Sequence, residues 1–156
     1  VMGNEKSLPK IPAADLTRAF DKRCGWLCKT GLNNTKLARR YCIIQGGKLF
    51  YYLGPRSEAP NGIVILSGAV VQQSDHVPFG FEIVAGELSS SQHIMKRTYY
   101  FTPAGADENK HGFMMSEKEI LQERQVLRQK RDMWIKWLRD EVAEELITSK
   151  VNKPKD

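Results

Sequence analysis

No stretch of this 156-residue chain approaches the roughly 20 consecutive apolar residues that a membrane-spanning helix needs. Contact with a bilayer therefore has to be peripheral. Cysteine is scarce: Cys24, Cys28 and Cys42 form no CxxC pair and have no second ligand cluster at zinc spacing. An odd count, with no secretory signal in view, fits a reducing compartment, and all three are read as structural. The histidines His76, His93 and His111 fall in expected loops, none beside a nucleophile motif. No glycine-rich loop has P-loop spacing, and no carboxylate pair stands in a catalytic context. The sequence thus argues against an enzyme and asks for no cofactor or metal. Internal repeats and low-complexity tracts are lacking as well.

Acid is missing from one particular segment. Lys22, Arg23, Lys29, Lys36, Arg39 and Arg40 follow one another with no Asp or Glu among them. Further on, from Ser116 to Lys150, acids and bases alternate almost evenly, as on a solvated helix face. The formal net charge of +6 is therefore a property of the N-terminal half. Such a surplus favours anionic partners. No RNA- or DNA-binding signature accompanies it, which sets nucleic acid aside.

What is present reads mostly as strands. Residues 1–12 are polar with Pro9 and Pro12, a flexible leader, and Leu16, Ala19 and Phe20 at helical spacing predict a short helix over 13–22. Strands are expected at 25–30, 38–45, 48–53, 62–66, 69–73, 79–84 and 97–102, with Gly46-Gly47 as a tight hairpin and Ser67-Gly68 as a turn. After Pro103 the period changes. Ile120, Leu121, Leu127, Trp134, Ile135, Leu138, Val142 and Leu146 predict a long amphipathic helix over 116–147. Ser116 and Glu119 form a capping box at its start. Seven short antiparallel strands followed by one such helix suit a barrel with one end plugged by the apolar stripe. The organisation is a leader over 1–24, one domain over 25–149 and a polar tail over 150–156, with a monomer expected.

The first residues carry a further signal. Met2-Gly3-Asn4-Glu5-Lys6-Ser7 matches the M-G-x-x-x-[ST] pattern for N-myristoylation on Gly3, and Val1 before it is read as a remnant. A single myristoyl chain binds membranes only marginally, at roughly 10⁴ M⁻¹. No cysteine within the first 23 residues supplies a neighbouring palmitoyl group. A second membrane signal would have to come from the domain.

Five segments, in order, resemble the pleckstrin-homology (PH) family. Gly25-Trp26-Leu27-Cys28-Lys29 is similar to its opening G-W-L-x-K, and Arg39-Arg40-Tyr41-Cys42-Ile43-Ile44 to its second strand. Leu49-Phe50-Tyr51-Tyr52 is similar to the third strand, and Pro60-Asn61-Gly62-Ile63-Val64-Ile65-Leu66 to the P-x-G-x-I-x-L stretch. Arg131-Asp132-Met133-Trp134-Ile135-Lys136-Trp137-Leu138 is similar to the helix signature, whose tryptophan packs into the core. The resemblance implies a mainly β fold with α, a barrel of seven antiparallel strands in two near-orthogonal sheets capped by the C-terminal helix. The segment 106–123 is longer than the family pattern, so an extra loop and added helical turns are expected. With its acylation signal, the chain resembles the acylated PH-domain proteins of apicomplexan parasites. That group recognises phosphatidic acid on secretory organelles (micronemes) and supports their exocytosis, at the cytoplasmic face of a membrane.

The resemblance also implies a site. Lys29, Arg40 and Tyr51 fall on three of the family's phosphate-contacting positions, and Lys36 stands close by in sequence. Strand alternation places Ala38, Arg40 and Cys42 on one face, with Arg39 and Tyr41 on the other, so Arg40 is the expected phosphate contact. Lys22, Arg23, Arg39 and Lys48 form an expected secondary basic surface, and Leu32 at the first loop tip an expected membrane-inserting residue. Ala38 and Asn61 stand where binders of polyphosphorylated inositides carry further basic residues. Two missing donors favour a small phosphomonoester headgroup, phosphatidic acid, over a phosphoinositide. A phosphoinositide-binding PH domain and a PH-fold protein-interaction module without lipid specificity are the rival readings.

Overall fold

The two glycines at positions 46 and 47 set the first hairpin. Both hold positive φ, 59° and 75°, as a two-residue turn between strands demands. They close β2 (Ala38–Gln45) onto β3 (Lys48–Tyr52) with Gln45 opposite Lys48. Around this hairpin a computed structural model describes residues 8–17, 23–30, 36–88, 94–106 and 115–151. β1 (Cys24–Thr30) pairs with β2, and β3 pairs with β4 (Gly62–Ser74). β5 (Gly80–Leu88) and β6 (Ile94–Thr102) follow, and β6 returns to β1. All pairings are antiparallel, and the ring closes.

Among the described residues the barrel has six strands, not the seven expected. The stretches 62–66 and 69–73 are one strand, β4. Ser67-Gly68 does not reverse the chain. Gly68 takes a φ of 73° within a register shift between Ile65 and Val70, so its freedom serves a bulge that bends the strand. The remaining strands fall where the alternation puts them.

The barrel interior is filled from all sides. Leu27, Ile44, Leu49, Val64, Leu66, Phe81, Ile83, Tyr99 and Phe101 are buried to within 1% of full exclusion. One end is closed by α2 (Glu117–Val151), which inserts Trp134, Ile135 and Leu138 into this cluster. Its start is the expected capping box: the Ser116 hydroxyl accepts the Glu119 N–H at 3.2 Å, and Glu119 Oε1 accepts from Ser116 in return. The expected stripe is only partly used. Ile120 and Leu121 are 38% and 64% exposed, and Leu146 58%. The barrel end is spanned by the turns around Trp134–Val142, and the added turns before them run past it.

The outer face of the hairpin carries a second, smaller core. Ala13, Ile43, Phe50, Tyr52 and Ile63 are buried there under Leu8, Ile11 and Leu16. Ala13 N–H donates to the Ser57 carbonyl at 2.9 Å, and the Tyr52 hydroxyl to the Ile11 carbonyl at 2.9 Å. Residues 8–12, read as flexible leader, are thus docked on the barrel. Of the expected first helix the structure shows α1, Ala13–Thr17; 18–22 lie outside the described residues. No helix of the described chain is long and apolar enough to cross a membrane.

Candidate anion-binding site beyond the β1–β2 end

Period-two alternation in β2 works as the sequence suggested. Cys42 is fully buried on the core side, so Arg40 and Ala38, two and four residues earlier, point the same way. Arg40 lies opposite Leu27 and Ala38 opposite Lys29. Leu27 is also fully buried, so Lys29 shares its inward face, one step nearer the end of β1. Lys29 and Arg40 converge above the Cys42 thiol. Burial pushes that thiol well above its ordinary range, while the positive charges of Lys29 and Arg40 pull against the shift. Cys42, fully buried, forms the floor of the site, and burial favours its protonated form.

Tyr51, opposite Cys42 on β3, forms the wall. The Lys29 ammonium sits 4.7 Å from its ring centre, a cation–π distance. The ring lies against Gly62, where a methyl group would overlap it. Asn61 N–H donates to the Tyr51 carbonyl at 2.8 Å and fixes the start of β4 beside it. Arg40 itself is held by one donor: Nη1 bonds the Arg39 carbonyl at 2.8 Å. Its Nε is buried and has no hydrogen-bond partner among the described residues. A buried unpaired donor costs about 1–3 kcal/mol, and an anion is the acceptor that would recover it. Lys36 is exposed just ahead of β2, at the same end.

The secondary basic residues do not gather there. Arg39 faces outward, its guanidinium 3.4 Å over the Trp26 ring centre and its Nε bonded to the Ala106 carbonyl at 2.5 Å. Arg23 is at the other end of β1. It pairs with Glu141 at 2.5 Å and bonds the Trp137 carbonyl at 3.3 Å. Lys48, next to the Gly46-Gly47 turn, donates to the Gly46 carbonyl at 3.5 Å. Seven residues of β2, roughly 23 Å of extended strand, separate Gln45, opposite Lys48, from Ala38, opposite Lys29. Lys22, Leu32 and Gly3 lie outside the described residues.

Sequence reasoning missed Gly62 as a member of the site, although it stands inside a quoted motif. It also missed Glu141. This buried carboxylate accepts from Arg23 and from the Gly47 N–H at 2.6 Å, fastening the helix to both the hairpin and the start of β1. Among the described residues no cluster of His, Cys, Asp or Glu is arranged to hold a metal.

The PH domain family model matches residues 21–142, which takes in every strand and the helix signature. Among solved structures, the PH domain of human KIAA0053 protein superposes with a TM-score of 0.51 at 20% identity, covering 78% of this chain and 87% of that one. The C-terminal PH domain of human pleckstrin gives 0.47 at 20% identity, covering 83% and 93%. No curated protein matches the chain. Modules of this kind often bind lipids or proteins and are generally non-catalytic. With the barrel, its helical cap and the match over 21–142 in agreement, the chain belongs to the PH domain family.

Proposed function

We propose that this chain is a peripheral membrane module that holds the phosphate of an acidic phospholipid, phosphatidic acid, at its β1–β2 end. The observation that supports it is the convergence of Lys29 and Arg40 over Cys42 beside Tyr51, with Arg40 Nε buried and lacking an acceptor. Ala38 and Asn61 leave the site short of the donors a polyphosphorylated inositide needs. An acyl chain on Gly3 supplies the second anchor. The resemblance to acylated PH-domain proteins extends the reading to the cytoplasmic surface of micronemes and to support of their exocytosis.

Each basic residue near an anionic surface is worth about 1 kcal/mol, so neither anchor suffices alone and the protein leaves when the lipid is consumed. The test is a liposome panel of phosphatidic acid, phosphatidylserine and phosphoinositides, run with acylated and unacylated protein. Preference for phosphatidic acid, lowered about fivefold by Arg40→Ala, is expected. Equal binding to all vesicles, or undiminished binding of the variant, refutes it; a phosphoinositide preference transfers the site to that lipid class.

A further inference from the structure

β4 leaves β3 before it ends. The β3 pairing covers Gly62–Ile65, and the Leu66 N–H makes a last bond to the Gly47 carbonyl at 3.0 Å. From Ala69 to Ser74 the strand keeps β5 on one side, with Val70 opposite Val84 and Ser74 opposite Gly80. On its other side no strand pairs with it among the described residues. Backbone groups point alternately to the two sides of a strand in an antiparallel pair. The Val71 carbonyl is on the side away from β5, because it accepts from Arg139 Nε at 2.9 Å. Gln73, two residues on within the regular register, directs its N–H and C=O groups the same way. An edge of this kind is a template for another strand.

The edge borders a groove with α2. Gln73 on one side and Asp132, Ile135, Lys136, Arg139 and Asp140 on the other enclose about 400 Å³. Both acids are already engaged, Asp132 by Arg131 at 3.0 Å and Asp140 by Lys136 at 2.9 Å. Arg139 has no carboxylate among the described residues, only the Val71 carbonyl. Val70, 52% exposed beside the bulge, lacks a cross-strand neighbour on this side.

We propose that this edge receives an extended peptide segment of a partner protein as an added strand. Main-chain bonds to Val71 and Gln73 give affinity, and an acidic side chain of the peptide takes Arg139. In the free protein Arg139 stands in for the missing strand at one carbonyl and swings aside on binding. The surface is separate from Lys29 and Arg40 and does not depend on the lipid reading.

Amide hydrogen exchange of the protein alone comes first. Val71 and Gln73 should exchange at least tenfold faster than Val70 and Gln72, whose N–H groups face β5. Random 12-residue peptides displayed on phage are then selected against the protein, and the selected peptides are titrated by NMR. Enrichment of acidic peptides is expected, with shifts over 69–73 and 132–139 and slowed exchange at Val71 and Gln73. Gln73→Pro removes an outward donor and leaves the β5 ladder intact, so it should weaken binding at least tenfold; Arg40→Ala should not. Arg139→Glu should reverse the preference toward basic peptides. If Gln73→Pro does not fold, N-methylation of successive peptide amides replaces it, with alternate positions abolishing binding. Protection of Val71 and Gln73 in the free protein at all dilutions assigns the edge to the chain's own segments. Protection that grows with concentration assigns it to a second copy. Either result overturns the proposal, as does failure to select peptides or their mapping elsewhere.

Discussion

The Tyr51 ring occupies the space that any side chain at position 62 would fill, so Gly62 is what lets this ring lie beneath the Lys29 ammonium. A Gly62→Ala variant has to displace the ring. Overpacking of this kind typically costs about 1–3 kcal/mol, and here it also removes the wall of the anion site. Binding to phosphatidic acid vesicles should fall several-fold, while Tyr51→Phe, which keeps the ring face and removes only the hydroxyl, should lose less. Vesicle sedimentation beside thermal melts separates the two effects. Unchanged binding by Gly62→Ala would show that the ring has no part in the site.

Glu141 ties three elements through one buried carboxylate, accepting from Arg23 and from the Gly47 N–H. Removing one partner of a buried pair leaves the other desolvated and unmatched, at a cost of about 3–5 kcal/mol. Glu141→Ala should therefore approach that loss in a urea titration. The double variant with Arg23→Met should recover part of it, since no charge is then stranded. A double variant no better than the single one would locate the cost in the Gly47 bond instead.

The two halves of α2 should behave unequally. Trp134 is 3% exposed in the barrel core, and truncation of a buried tryptophan costs about 3–5 kcal/mol. Leu121, in the same predicted stripe, is 64% exposed, and Leu121→Ala should fall within about 0.5 kcal/mol of the parent. Chemical denaturation of the two variants checks this. A comparable loss at Leu121 would mean that the added turns carry stability of their own.

Much of this was legible because short-range rules operate alone where one face is buried. Period-two alternation separated Arg40 from Arg39, the glycine pair fixed the hairpin, and Ser116 with Glu119 fixed the helix start. The failures share a cause, which is that tertiary context reuses a local signal. Gly68 has the conformation of a turn glycine and serves a bulge. Tyr41-Cys42-Ile43-Ile44 lacks alternation because both faces of β2 are covered, Ile43 by the leader. That unbroken apolar run was the available sign that residues 8–17 dock there. Glu141 sits among alternating charges that read as a solvated face, and nothing local distinguishes it from Glu144. The apolar stripe of α2 gives no length for the surface it meets, so the overrun past the barrel was visible only as an unusually long segment before Trp134.

Alkaline conditions should loosen the leader from the barrel. The Tyr52 hydroxyl donates to the Ile11 carbonyl at 2.9 Å. Burial first, and the charge of Asp15 second, push its pKa up from 10 to about 12. Below pH 10 the phenol is protonated in both folded and unfolded chains, and its contribution is fully present. Between about 10 and 12 the unfolded chain releases this proton while the folded chain keeps it, so stability falls as pH rises through that window. Tyr41 adds a parallel decline. Its pKa is also raised to about 12, by burial and then by its bond to Cys24. Tyr52→Phe should lose about 1 kcal/mol at pH 8 through the missing hydrogen bond, yet decline less steeply from pH 10 to 11.5, because Tyr52 no longer contributes while Tyr41 and the buried thiols of Cys28 and Cys42 still do. Urea midpoints at pH 8, 10 and 11.5 measure both quantities. An identical slope in parent and variant would mean that Tyr52 ionises as readily in the folded protein as in the unfolded chain, and its burial against the leader would have to be abandoned.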